Sequence, residues 1–154
     1  MHWEIDVQDE VKLYIKRLTE TSKMPTKAYE EDSGLDVYHD GPATRVYPGE
    51  KFTFPTGISI TTSPGWFVKL ESRSGLAHKH GGTLLCGIID RGYRNELGVV
   101  FHNTSRKDLI YVDRDERIAQ IILLPLPKVV IEEVDELPAV DSRGFGGFGS
   151  SGRI

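Results

Sequence analysis

The apolar runs of this chain are short, alternate every second residue and stop at glycine or proline. No other feature limits its fold as much. "VKLYIKRL" puts Val11, Leu13 and Ile15 on one side, the period of a half-buried strand rather than a helix. "KFTFPTGISITT" does the same with Phe52, Phe54, Ile58 and Ile60. "WFVKLE", "GTLLCGIID", "ELGVVFHN", "LIYV", "RIAQIILLPL" and "KVVIEEV" are further strands by composition. Turn chemistry separates them, in "YPGE" at 47–50, "TSPGW" at 62–66 and "HGG" at 80–82. Many short strands with such turns predict an all-β sandwich or barrel. One short helix is expected over "LAHKH", with Ser74 near its N-terminus and Gly81-Gly82 ending it.

A length of 154 residues fits a single domain, 1–154. Residues 1–10 read as an N-terminal extension. Residues 141–154 have too little apolar surface to hold themselves in place, and read as a mobile C-terminal arm. The net charge of -4 argues against a nucleic-acid binder, which needs a basic surface. No apolar run approaches the roughly 18 residues of a membrane span. The start, "MHWEIDVQDE", lacks the basic and apolar regions of a secretory signal. Cys86 is the one cysteine, so no internal disulfide forms, and it is expected to pack as a small apolar residue. His78, His80 and His102 have no metal-ligand spacing. A reducing, cytoplasmic setting is expected.

Five stretches carry groups suited to chemistry. The tail "RGFGGFGSSG" contains G-x-G-x-x-G at Gly144, Gly146 and Gly149. A dinucleotide fingerprint needs a strand before it and a helix after it, and the chain ends at Ile154. The tail is therefore either a bland Gly/Ser end or an anion-binding nest. In the second case Ser150 and Ser151 add donors, Arg143 adds a phosphate-matching cation and Phe148 can stack on a flat ring. In "ESRSGLAHKH", Arg73 and Ser74 form either a capped turn or a phosphate site at a helix start. "CGIIDRGYRNELGVV" reads as a β-hairpin with Asp90 and Tyr93 at one end. It is either an Asx-type turn or a mouth for a planar base, with Asp90 partly desolvated and fit to act as a general base. In "EEDSGLDV", Asp36 is the better candidate for orienting a hydrated Mg²⁺, beside the solvated Glu30, Glu31 and Asp32. "DERIAQIILLP" puts Arg117 and Gln120 at the start of a buried strand, where each either pairs internally or reaches a ligand.

Taken in order, "EDSGLDV", "RSGLA", "GIIDRGYRNE", "RIAQIILLP" and "RGFGGFGSSG" resemble the five motifs of the trimeric dUTPase family, over about Val11 to Gly152. The resemblance implies a distorted jelly-roll, β-clip-like subunit with one short helix and a flexible C-terminal arm. It implies a homotrimer whose active sites are shared between subunits. The implied reaction is dUTP plus water giving dUMP and pyrophosphate, with Mg²⁺. Asp90 would activate the water that attacks the α-phosphorus. Arg73, Ser74, Gly75, Gln120 and Mg²⁺ would hold the leaving group's charge, and Asp36 would orient the metal through water. Tyr93 would pack against the deoxyribose. Main-chain atoms of 84–89, Gly87 and Ile89 among them, and of the strand near Val99 would read the uracil. Arg143, Gly149, Ser150 and Ser151 would wrap the γ-phosphate, with Phe148 over the base. The chain departs from the family's usual residues at Leu84, where asparagine is common, at Glu71, where proline is common nearby, and at Asn95, where glycine is frequent.

Two rivals share this fold. The related dCTP deaminases carry an arginine and a glutamate where this chain has His78 and Val100, which cannot supply that acid–base chemistry. A regulatory binding module is the other, with residues 1–10 as a contact surface for a protein partner. An intact set of catalytic residue types favours hydrolysis over both.

Overall fold

The computed structural model describes residues 10–73, 75 and 81–139. Among these it has eleven strands and no long helix. β1 is Leu13–Arg17, β2 Leu35–Tyr38, β3 Thr44–Val46, β4 Lys51–Phe54, β5 Ile58–Thr62 and β6 Trp66–Glu71. β7 is Gly82–Leu85, β8 Ile88–Ile89, β9 Val99–Asn103, β10 Ile110–Val112 and β11 Arg117–Pro125. They form sheets of order β2-β11-β6-β8, β4-β9-β7, β1-β5 and β10-β3. All seven pairings among them are antiparallel. The all-β class is as the strand pattern predicts, and the distorted jelly-roll arrangement is as the family resemblance implies.

Alternation explains most of the core. Val99, Phe101 and Asn103 of β9 are buried and the residues between them are not. Val68 and Leu70 of β6 are likewise buried. Phe54, Ile58, Leu97, Phe101, Ile110, Ile118 and Ile121 are the largest fully buried apolar side chains beside the valines. Asn103 is polar yet fully buried. Its Nδ2 donates to Val46 O and Asp108 O, both at 2.9 Å, and its Oδ1 accepts from Ser105 N at 3.0 Å. These bonds remove the desolvation cost that a buried amide would otherwise carry.

The turns do less pairing than their sequences suggest. Tyr47-Pro48-Gly49-Glu50 closes a turn, with Glu50 N donating to Tyr47 O at 3.0 Å and Gly49 at φ 79°. Proline second and a left-handed glycine third are the demands of a type II turn. Yet β3 pairs with β10 and β4 with β9, so the turn moves the chain between sheets. The "TSPGW" turn does the same between β5 and β6.

Several expectations need correction. "GTLLCGIID" is two strands, because Cys86 adopts φ 56° and redirects the chain. β7 then pairs with β9, and β8 pairs with β6 in another sheet. The Asp90–Tyr93 stretch is therefore not the tip of a simple hairpin. Cys86 is exposed at that break, not packed. Phe52 is exposed at the edge strand β4, although it alternates with buried Phe54. "KVVIEEV" forms no strand. Val129, Val130 and Ile131 stand 72%, 81% and 93% exposed in this single subunit. The expected helix over "LAHKH", all of the N-terminal extension 1–10 except Glu10, and the whole C-terminal arm 141–154 lie outside the described residues.

Candidate active site

The centre of the four-stranded sheet carries a polar row. Asp36 of β2 lies opposite Gln120 of β11, which lies opposite Glu71 of β6. The register of β11 shifts between Arg117 and Ala119, so Ile118 is an extra residue there. Strict alternation would put Arg117 and Gln120 on opposite faces. The bulge returns both to the face of Asp36. Sequence reasoning could not see this, since a bulge leaves no mark in the alternation beyond the adjacent buried pair Ile118-Ala119.

Asp36 is the hub. Its Oδ1 lies 2.7 Å from Arg73 Nε, and its Oδ2 accepts from Arg117 Nη1 at 3.3 Å. The Asp36 side chain is 14% exposed, against 29% for Arg73 and 47% for Arg117. The pair therefore sits in a partly desolvated place, where charge interactions are stronger than at a free surface. Gln120 Nε2 donates to Ser72 O at 3.1 Å, and Ser72 Oγ accepts from Leu84 N at 3.2 Å. The chain passes close over Gln120 at Gly34, where a Cβ would come within 2.3 Å of Gln120 Oε1 and push the amide aside. The result is an open pocket of about 220 Å³ lined by Ala28, Asp32, Ser33, Gly34, Asp36, Arg73 and Gln120. Three of the five sequence stretches thus meet at one cavity.

The third motif stretch, "GIIDRGYRNE", lies elsewhere on the subunit. Gly87 packs against β6, with Leu70 N donating to Gly87 O at 2.7 Å. Beyond β8, Tyr93 N donates to Asp90 O at 3.0 Å and closes a turn. Tyr93 Oη donates to Glu96 O at 3.0 Å, which fixes the ring's orientation. Arg91 Nε donates to Thr62 O at 3.1 Å, and Thr61 Oγ1 and Ser59 Oγ donate to Arg91 O and Arg94 O at 2.9 Å. The loop is thereby strapped to β5. Asp90 is exposed, not partly desolvated, because it follows the two-residue edge strand β8, which no strand among the described residues covers on its outer side.

Gln120 pairs with Glu71 across β6, and Ile89 pairs with Val68 on its other side. Asp90 is then four residues along and two strands across from Gln120, about 16 Å at the usual rise and strand spacing. Their backbones thus stand well apart within one subunit. Gly75 is exposed, and Ile89 is half-buried. Ser74, Arg143, Phe148, Gly149, Ser150 and Ser151 lie outside the described residues.

A family model described as dUTPase matches residues 20–152. The chain belongs to the dUTPase family. It is 40% identical over 146 residues to a deoxyuridine 5'-triphosphate nucleotidohydrolase of Gloeothece citriformis, covering 92% of this chain and 97% of the relative. A relative of the same description from Clostridium tetani is also 40% identical over 146 residues, covering 94% and 99%. Among solved structures, the dUTPase of Staphylococcus bacteriophage 80alpha with dUpNHpp superposes with a TM-score of 0.82 at 27% identity, covering 92% of this chain and 99% of that one. A dUTPase variant of phage phi11 of S. aureus, described with a structural Mg(II) ion, shares the fold with a TM-score of 0.75 at 22% identity, covering 83% and 99%. In dUTPase terms, the Asp36–Arg73–Gln120 pocket gathers the first, second and fourth motif stretches, and Asp90 carries the third.

Proposed function

We propose that this chain hydrolyses dUTP to dUMP and pyrophosphate as a cytoplasmic homotrimer. This limits uracil incorporation into DNA and supplies dUMP for dTMP synthesis. The observation that carries the reading is the convergence of three motif stretches of a dUTPase-family chain on one polar pocket. Arg73, Ser74, Gly75 and Gln120 bind the phosphates and hold the charge that builds on departing pyrophosphate. Asp90 of a neighbouring subunit takes a proton from the water that attacks the α-phosphorus. The bond from that phosphorus to the bridging oxygen breaks as the new P–O bond forms. The separation of about 16 Å between Gln120 and Asp90 in one subunit supports a site assembled from two. Docking another subunit also removes Asp90 from water, which favours its work as a base.

The base end uses shape. Tyr93, its ring held by the Glu96 carbonyl, packs against the deoxyribose. Leu84 N is already bonded to Ser72 Oγ, so uracil reading falls to the main chain beyond it, at Gly87 and Ile89, and near Val99. A close-fitting pocket rejects the thymine methyl by overlap. The C-terminal arm of a third subunit brings Arg143, Gly149, Ser150 and Ser151 to the γ-phosphate and Phe148 to the base.

Among the described residues, no group of three or more His, Cys, Asp or Glu side chains is placed to hold a metal alone. Asp36 keeps a spare lone pair on each oxygen beside its two guanidinium contacts. That suits outer-sphere contact with a hydrated Mg²⁺ arriving on the triphosphate, not an all-protein cage. When bound, Mg²⁺ supplies neutralisation of phosphate charge. The test is pyrophosphate release from each dNTP with Mg²⁺. Fast release from dUTP alone is expected. Equal rates with dCTP or dTTP would sink the specificity, and ammonia release from dCTP would favour deamination instead.

A further inference from the structure

We infer that Arg117 is a positioning residue for triphosphate binding, acting through Asp36 on Arg73. The inference rests on reading the Asp36–Arg73–Gln120 pocket as the triphosphate site. A guanidinium and a carboxylate left to themselves close a two-point fork, with Nε on one oxygen and an Nη on the other. Here Arg73 Nε lies 2.7 Å from Asp36 Oδ1 as an ion-pair contact, and no hydrogen bond from an Arg73 amino group to Asp36 closes the fork. The second oxygen already accepts from Arg117 Nη1 at 3.3 Å, so an Arg73 amino group could reach its remaining lone pair only by crowding against a second guanidinium. Arg73 is thus anchored by its Nε alone. Among the described residues, its two terminal amino groups have no partner, and Arg73 lines the pocket. Those two groups form the flat donor pair that matches two phosphate oxygens.

Charge points the same way. Two guanidiniums and one carboxylate leave this triad at one net positive charge, which Asp32 on the pocket wall balances, so losing Arg117 would turn the surroundings of the anion net negative. Without Arg117, Asp36 Oδ2 also becomes open to Arg73. Arg73 then closes onto Asp36 and withdraws one amino group from the pocket. The device depends on the β11 bulge, since without the extra Ile118 the Arg117 side chain would leave the face of Asp36. Arg117 need not touch the nucleotide for any of this.

The experiment is a double-mutant cycle on the full chain, with dUTP kinetics and calorimetric binding of inorganic tripolyphosphate. Arg117→Gln should lower kcat/KM about fivefold, mainly through KM, and weaken tripolyphosphate by a similar factor. Arg117→Lys, which keeps a cation on Oδ2, should retain most of both. In an Arg73→Lys background, Arg117→Gln should cost less than about twofold, because the residue it positions is gone. Melting temperature and trimer mass are followed in parallel. A full fivefold loss in the Arg73→Lys background would overturn the inference, since Arg117 would then bind phosphate by itself. So would an Arg117→Gln protein with unchanged KM and unchanged tripolyphosphate affinity, or a loss that tracks only a fall in melting temperature. If the unsubstituted protein fails to hydrolyse dUTP, the proposed reaction fails. The tripolyphosphate arm still decides the role of Arg117.

Discussion

Gly87→Ala should damage stability and catalysis together, and the amount can be worked from one contact. A Cβ on Gly87 would lie 2.6 Å from Leu70 O, a backbone atom that cannot swing aside. Ordinary contact begins near 3.4 Å, so β8 must move off β6 by about 0.8 Å. Overpacking of this kind costs about 1–3 kcal/mol. In a chain of this size that corresponds to a melting temperature lower by roughly 3–10 °C. β8 is held to β6 by only two paired residues, so the displacement passes on to Asp90, the next residue along. A misplacement near 1 Å at a catalytic group costs about 100-fold in rate. The expected loss in kcat/KM is therefore about 10- to 100-fold, read by coupled pyrophosphate release beside differential scanning fluorimetry. Unchanged melting and unchanged kcat/KM would show that the close approach does not exist. Lower melting with intact kcat/KM would show that β8 yields without carrying Asp90, which refutes the link between them.

Asp90→Asn should keep dUTP affinity and lose about 10²- to 10⁴-fold in kcat; near-normal turnover would remove Asp90 as the base. Ending the chain at residue 141 should impair turnover while leaving the trimer assembled, checked by light scattering. Full activity in that shortened protein would refute the arm as a third contributor to each site. Asn103→Ala should destabilise the fold by about 3 kcal/mol in urea unfolding, because Val46 O and Asp108 O lose a donor in a fully buried place. A loss below about 1 kcal/mol would mean that water replaces the amide.

The fold class was legible because a period of two survives wherever a strand has one wet face. Leu13 and Ile15 of β1, or Val99, Phe101 and Asn103 of β9, declare their inner side by alternation alone. Pairing was not legible. "YPGE" and "TSPGW" have real turn chemistry, but a turn sequence fixes local dihedrals and not which sheet the next strand joins. Cys86 is the sharper case. Nothing in "LLCGII" marks a left-handed residue that is not glycine, yet its φ of 56° splits one apparent strand across two sheets. The Arg117–Asp36 contact was hidden for a similar reason, since it depends on a single extra residue in β11.

The remaining mismatches share one physical cause. Sequence patterning encodes burial in the working assembly, and a lone subunit shows only its own part. Asp90 was expected to be partly desolvated and is exposed. "KVVIEEV" has strand composition, yet Val129, Val130 and Ile131 lie open and unpaired. Leu137 is 87% exposed beyond them. A contiguous apolar run of this kind is costly to leave in water and marks a surface that something covers. Under the proposed homotrimer both features have a use. Residues 128–137 lie between β11, which carries Gln120, and the arm expected to reach a neighbour's nucleotide. Docking that stretch on another subunit would bury its apolar side chains and direct the arm outward. It would also let one subunit's Asp90 approach another's Arg73 and Gln120, which lie about 16 Å from it within a single chain at the usual strand spacing.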